Sequence, residues 1–170
     1  MKDFEYAAPV TLAEATALLA RHNGTARVLA GGTDLLVQLR ERLRDADLVV
    51  DIKRIPEITQ FSYSDETGLR LGAAVPCYQI YDNHELCAAY PALADSTHIV
   101  GGWQIQSRAS VGGNLCNSSP AGDTLAPRAT PRGRNSRCLC PDPRVAREAR
   151  HDFLAWCRAF GFTTSLHSQN

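Results

Sequence analysis

Apolar residues recur at helical spacing near the start of the chain, with Leu12, Ala15, Leu18 and Leu19 on one face. Thr11 and Glu14 stand where a capping box would place them, the hydroxyl accepting from the amide three residues on and the carboxylate reaching back. The helix is expected to stop at His22-Asn23-Gly24, since glycine suits a left-handed C-terminal cap. Residues 26–30 then read as a short strand, Gly31-Gly32 as a turn, and Thr33-Asp34 as the cap of a second helix with the stripe Leu35, Leu36, Leu39 and Leu43. Residues 48–52 form a near-continuous apolar run, the pattern of a strand buried on both faces. Residues 28–52 therefore predict a strand–helix–strand unit with a parallel pair.

The period changes at Pro56. Residues 59–63 and 69–74 read as two strands joined by a five-residue loop that ends in Gly68. Short helical stretches follow near 79–82 and 85–89, and another runs from Pro91 toward Ile99, before Gly101-Gly102. Ser110-Val111 then reads as a short strand into a second Gly-Gly turn, Gly112-Gly113. After Ala126 no period is legible until residues 145–160, where Phe153, Leu154, Trp156, Cys157 and Phe160 restore some helical character; poor packing is expected over 127–143.

A length of 170 residues, 44% hydrophobic and 21% charged, fits one globular domain or slightly more and excludes disordered and fibrous classes. No apolar run approaches the roughly 18–20 residues of a membrane span, and the N-terminus lacks the apolar stretch of a secretory signal, so a cytoplasmic protein is expected. The formal net charge of zero argues against a nucleic-acid surface made by charge alone. That balance hides a seam. Residues 1–126 carry 10 basic and 15 acidic side chains, whereas residues 127–170 carry 8 arginines and 3 acids. The six cysteines form no C-x-x-C pair and the histidines stand at no ligand spacing to them, so no metal site is expected.

Two segments could carry chemistry. In Leu29-Ala30-Gly31-Gly32-Thr33-Asp34-Leu35-Leu36 a strand feeds a glycine turn that opens a helix, and the amides at a helix start can hold an anion such as a pyrophosphate. A tight turn with no ligand explains the same letters. In Ser110-Val111-Gly112-Gly113-Asn114 glycines again allow close backbone approach, and Asn117, Ser118, Ser119 and Asp123 follow with groups suited to phosphate or ribose oxygens. A structural loop rich in Asx turns is the alternative. Together the two suggest one long ligand gripped from two sides. There is no G-x-G-x-x-G and no G-K-[ST] motif. Asp51 lies where an NAD ribose acceptor would, but reads better as the end of a buried strand. Trp103 could stack on an aromatic ligand, yet a partly buried structural indole is the expectation.

Ala30-Gly31-Gly32-Thr33-Asp34-Leu35, followed by residues 104–114 and by Ser119-Pro120-Ala121-Gly122-Asp123, resembles the FAD-binding (medium) subunit of the molybdenum hydroxylase family, of the xanthine dehydrogenase and carbon monoxide dehydrogenase type. The opening Phe4-Glu5-Tyr6, Pro9, Thr11-Leu12 and Glu14-Ala15 is similar too, and the resemblance covers residues 1 to about 126. It implies an α+β fold, the FAD-binding domain of the p-cresol methylhydroxylase type, in two subdomains: a first at 1–55 and a second, incomplete, at 56–126. It implies FAD between them, with Leu29, Ala30, Gly31, Gly32, Thr33, Asp34, Leu35 and Leu36 around the pyrophosphate. Ser110, Val111, Gly112, Gly113 and Asn114 would then contact the cofactor from the other side, and Asp123 would bind its ribityl or ribose part. It also implies partners: a small subunit with iron–sulfur clusters and a large subunit with the molybdenum cofactor, which send electrons through FAD to NAD or another acceptor. No catalytic residue on this chain is required by that role.

Gln106 and Ser107 stand where the family often has Arg and Asn, and Ala109 where it often has Gly. Residues from about 127 depart altogether, and a truncated or out-of-frame C-terminal stretch is expected there. The alternatives are a non-catalytic remnant or interaction module that no longer binds FAD, and a Rossmann-type domain using Asp51 for NAD.

Overall fold

The computed structural model describes residues 2–64, 66–117 and 122–124. Its first part is a parallel sheet of three strands, β1 (Glu5–Ala7), β2 (Ala26–Leu29) and β3 (Leu48–Asp51), in the order β1-β3-β2. Tyr6 lies opposite Val49, and Val28 opposite Val50. Helix α1 (Leu12–Arg21) precedes β2, and α2 (Leu35–Arg40) joins β2 to β3. The sequence predicts the β2–β3 pair. It misses β1, whose three residues carry no alternation.

The central strand explains its own composition. Alternate side chains of a strand point to opposite faces. Leu48, Val50 and Ile52 share a buried cluster with Ala15, Leu12, Leu18 and Leu19 of the α1 face, whereas Val49 packs with Leu39 and Leu35 of α2. All four β3 residues are buried, so both faces demand apolar side chains. Leu36 and Leu43 of the expected α2 stripe are 45% and 71% exposed, because α2 spans only six residues and presents Leu39 to the sheet.

Capping fixes α1. The Glu14 amide donates to Thr11 Oγ1 at 3.2 Å, and Glu14 Oε2 accepts from the Val10 amide at 3.1 Å, one residue further back than an ideal box. Asn23 and Gly24 both take positive φ beyond its end.

Pro56 starts a helix instead of only breaking the pattern. It stands in the first turn of α3 (Pro56–Thr59), where a missing amide hydrogen costs nothing. The hairpin strands are consequently β4 (Phe61–Ser64) and β5 (Gly68–Leu71), shorter than expected. Helices α4 (Cys77–Tyr81), α5 (His84–Ala89) and α6 (Pro91–His98) cover the hairpin. Ile80, Leu86, Leu93 and Val111 form their buried core against Phe61, Tyr63, Leu69, Leu71 and Tyr90. Two short helices follow, α7 (Trp103–Gln106) and α8 (Val111–Asn117). The sheet cluster also takes in Ile55, Ile58 and Ala74, so the hairpin-bearing part packs directly on the sheet layer.

Among the described residues no helix is long and apolar enough to cross a membrane, and no group of three or more His, Cys, Asp or Glu could hold a metal ion. Cys138, Cys140, Cys157 and residues 145–160 lie outside the described residues.

Candidate cofactor-binding site

Both Gly-Gly segments face one cleft of about 420 Å³, within the size range of small-molecule sites. Ala30, Gly31, Gly32, Thr33, Asp34 and Leu35 line it from one side, and Ser110, Gly112, Gly113 and Asn114 from the other. Asp123, exposed, also borders it. Leu29, Leu36 and Val111 do not. Leu29 packs beside Val49, Leu36 reaches outward, and Val111 is buried under the hairpin.

The first segment is shaped by its backbone. Gly32 has φ +78°, a left-handed conformation that favours glycine, and a Cβ there would lie 2.7 Å from a Leu29 methyl. The Ile52 amide donates to Leu29 O at 3.1 Å, and beyond this the chain leaves the sheet. Asp34 occupies the N-cap position of α2 but its side chain makes no capping hydrogen bond. The carboxylate therefore does not occupy the amides at that helix start, of which the Leu36 amide donates to Gly32 O at 3.0 Å.

The second segment corrects a prediction. Ser110 makes only an isolated bridge with Pro76, and Gly112-Gly113 form the opening of helix α8, not a turn. Ser110 caps that helix: Gly113 donates its amide to Ser110 Oγ at 3.1 Å, and the Asn114 amide donates to Ser110 O at 2.9 Å. Gly112 is glycine for packing, because a Cβ there would lie 2.5 Å from Ala73 O. Asn114 Oδ1 is buried, lines the cleft side and has no hydrogen-bond partner, a costly state for an amide oxygen. Behind the segment, Tyr81 Oη donates to Gln106 Oε1 at 3.0 Å and Gln106 Nε2 donates to His98 O at 2.6 Å. Gln106, 6% exposed, thus fixes the approach to Ser110. Across the cleft Gln38 Nε2 donates to Asn117 Oδ1 at 3.3 Å, joining α2 to α8. Ser118 and Ser119 lie outside the described residues.

The sequence reading misses Arg27, Gln38, Arg44, Val100 and Ile105, all of which line the cleft. Arg27 donates through Nη1 to Gly24 O at 2.6 Å and Ala26 O at 3.0 Å, and its buried Nε has no partner. A cation within a four-residue strand, on the same face as Leu29, is the signal that could have found it. Asp51 does not line the cleft and is fully engaged at the end of β3. Tyr6 Oη and Lys53 Nζ each donate to its Oδ2 at 2.7 Å, and the Lys53 amide donates to Oδ1 at 3.0 Å. Burial pushes its pKa up, but the hydrogen bonds from Lys53 and Tyr6 outweigh that and hold it below the ordinary carboxylate value. It is not available to a ribose, which removes the support for the Rossmann-type alternative. Trp103 is 74% exposed, not partly buried as expected.

The cleft thus lies between the glycine loop before α2 and the start of α8, and arginine, amide and carboxylate side chains line it. The pattern of the family described as "FAD binding domain in molybdopterin dehydrogenase" matches residues 2–130, and the chain belongs to that family. The nicotinate dehydrogenase FAD-subunit of Eubacterium barkeri is 37% identical over 132 residues, covering 76% of this chain and 44% of that one. The xanthine dehydrogenase FAD-binding subunit of Escherichia coli O157:H7 is 35% identical, covering 75% and 44%. Among solved structures, carbon monoxide dehydrogenase from Hydrogenophaga pseudoflava superposes with a TM-score of 0.66 at 30% identity, over 70% of this chain and 41% of that one. The chain thus spans less than half the length of these relatives. The fold is that expected from the resemblance, α+β, here over part of the relatives' length.

Proposed function

We propose that this chain supplies the FAD site of a molybdenum-containing hydroxylase or dehydrogenase, with FAD between a first unit at residues 1–55 and a second at 56–126. The observation that carries the reading is convergence: two glycine segments distant in sequence border one cleft, and Asn114 places an unpartnered buried oxygen beside it. The residues present fit the cofactor. Backbone at residues 31–35 would surround the diphosphate at the start of α2, with Arg27 adding positive charge nearby. Gly113 and Asn114 would approach from α8, and Asp123 would accept from ribityl or ribose hydroxyls. Leu29 and Val111 would support these contacts from behind, through packing, and the exposed Leu36 side chain lies beside Gly32.

When bound, FAD would supply a two-electron carrier between iron–sulfur clusters on a small partner subunit, fed by a molybdenum cofactor on a large one, and an acceptor such as NAD. This chain's residues bind and orient the cofactor and keep its diphosphate end enclosed. None is required to move a proton.

Titration of the full chain with FAD, followed by quenching of flavin fluorescence, tests the reading. Saturable quenching that weakens in Asn114→Ala while the fold is retained supports it. A folded chain that leaves flavin fluorescence unchanged overturns it and favours a remnant or interaction module.

A further inference from the structure

The first Gly-Gly loop has a brace that reaches it from just past the end of β3. Ala30 is the residue at which the chain has left β2, past the last β2–β3 backbone bond from Ile52 N to Leu29 O. Its carbonyl accepts from Lys53 Nζ at 3.0 Å. The same ammonium group donates to Asp51 Oδ2 at 2.7 Å. Asp51 is 7% exposed and is held in turn by Tyr6 Oη from β1 and by the Lys53 amide. One carboxylate therefore collects three donors and aims a lysine at the loop. The chain of contacts runs from β1 through the end of β3 to the residue next to Gly31.

We infer that Lys53 is a positioning residue that holds the Ala30–Gly31–Gly32 turn in its ligand-ready form. The inference rests on the cofactor reading above and assigns a residue that touches the loop, not the ligand. A lysine stem has several rotatable bonds and spends entropy when fixed. Here Asp51 fixes it for a reason beyond the ion pair itself, because the free end of the ammonium group reaches the Ala30 carbonyl. Gly31 and Gly32 carry no side chains of their own, the turn being held otherwise by Gly31 against the Arg108 backbone and by the Leu36 amide donating to Gly32 O at 3.0 Å, and glycine loses the most backbone freedom when ordered. An unbraced loop populates its binding form only part of the time, and apparent affinity falls by that fraction. Pre-ordering the turn moves that entropic loss from binding to folding.

The test compares the full wild-type chain with Lys53→Met and Lys53→Arg. Amide hydrogen exchange is measured without ligand, and FAD and ADP are then titrated, both probes carrying a diphosphate. The inference expects amides of residues 30–34 to exchange several-fold faster in Lys53→Met, with β3 amides protected as in wild type. FAD and ADP should weaken by a common factor, about tenfold for a loop competent one-tenth of the time. Lys53→Arg, which can still reach a carbonyl and a carboxylate, should restore most of both. Unchanged exchange at 30–34 in Lys53→Met overturns the inference. So does faster exchange that spreads through β3, which marks a structural role only, or faster loop exchange with unchanged affinity. If wild type itself binds neither probe, the cofactor reading falls, while the exchange comparison still decides whether Lys53 orders the loop.

Discussion

Gly31 lies against the backbone of Arg108. A Cβ built on Gly31 would overlap the Arg108 carbonyl oxygen and sit 2.6 Å from its carbon. The early glycine pair is therefore packed on the backbone at 108–109, just before the later segment, and its first member is glycine because that backbone lies against it. Gly31→Ala should destabilise the chain by about 1–3 kcal/mol, the cost of overpacking against backbone that cannot rotate away. Gly24→Ala is the control. Gly24 also has a special backbone, φ +88°, but open space around it, so only conformational strain of about 1 kcal/mol is expected. Urea denaturation of both variants checks the order.

Asn114→Ala should separate binding from stability. The substitution removes a buried oxygen that has no partner, so the melting temperature should hold or rise. FAD affinity should fall, by about 1–2 kcal/mol for one lost hydrogen bond. Thermal melts and flavin titration of the same preparation give both numbers. A parallel fall in stability and affinity would place Asn114 among the structural residues. Gly112→Val is a poor probe of the site by comparison, since its side chain would strike Ala73 before any ligand.

Acid should loosen the end of β3. The folded pKa of Asp51 is held below its unfolded value, so its contribution is fully present above the unfolded value and is lost as pH falls through the folded one. The loss therefore lies below about pH 4, the ordinary carboxylate value. Asp47, paired with Lys2 at 3.0 Å, is shifted in the same direction, but both partners are exposed and the pair is screened by solvent. Stability measured from pH 6 downward should fall less steeply in Asp51→Asn than in wild type, from a lower starting value.

Cysteine chemistry should report on the cleft. Burial pushes the Cys77 thiol up to about 11, so it should resist alkylation at neutral pH in the folded chain. Cys116 borders the cleft. Bound FAD should slow its modification several-fold while leaving Cys87 unchanged, as read by peptide mass spectrometry. Equal rates at Cys116 with and without FAD would place the ligand elsewhere.

Much of the first unit was legible because β3 is buried on both faces and α1 has a capping box, and both leave strong marks in the letters. β1 was not, because a three-residue strand at a sheet edge, with Tyr6 59% exposed, has neither alternation nor an apolar run. The late glycine segment reads as a short strand and a turn, and that conformation was misread. Two adjacent glycines normally argue against helix, and here tertiary packing on Ala73 overrides propensity. Arg44 was passed over because nothing in its immediate neighbours marks it, and Arg27 because its one local mark, a cation inside a four-residue strand, was not used; the folded chain brings both to the cleft wall. Trp103 shows the reverse error: a partly buried indole was expected from residue type, and the side chain is exposed.

The central claim is that one ligand meets both glycine segments at once. At 18.5 kDa the chain suits a ¹H–¹⁵N chemical-shift titration with FAD, in which glycine amides stand apart. The account predicts that Gly31 and Gly32 shift together with Gly113 and Asn114, all fitting one dissociation constant. Shifts confined to one segment, or two segments with different constants, would contradict it.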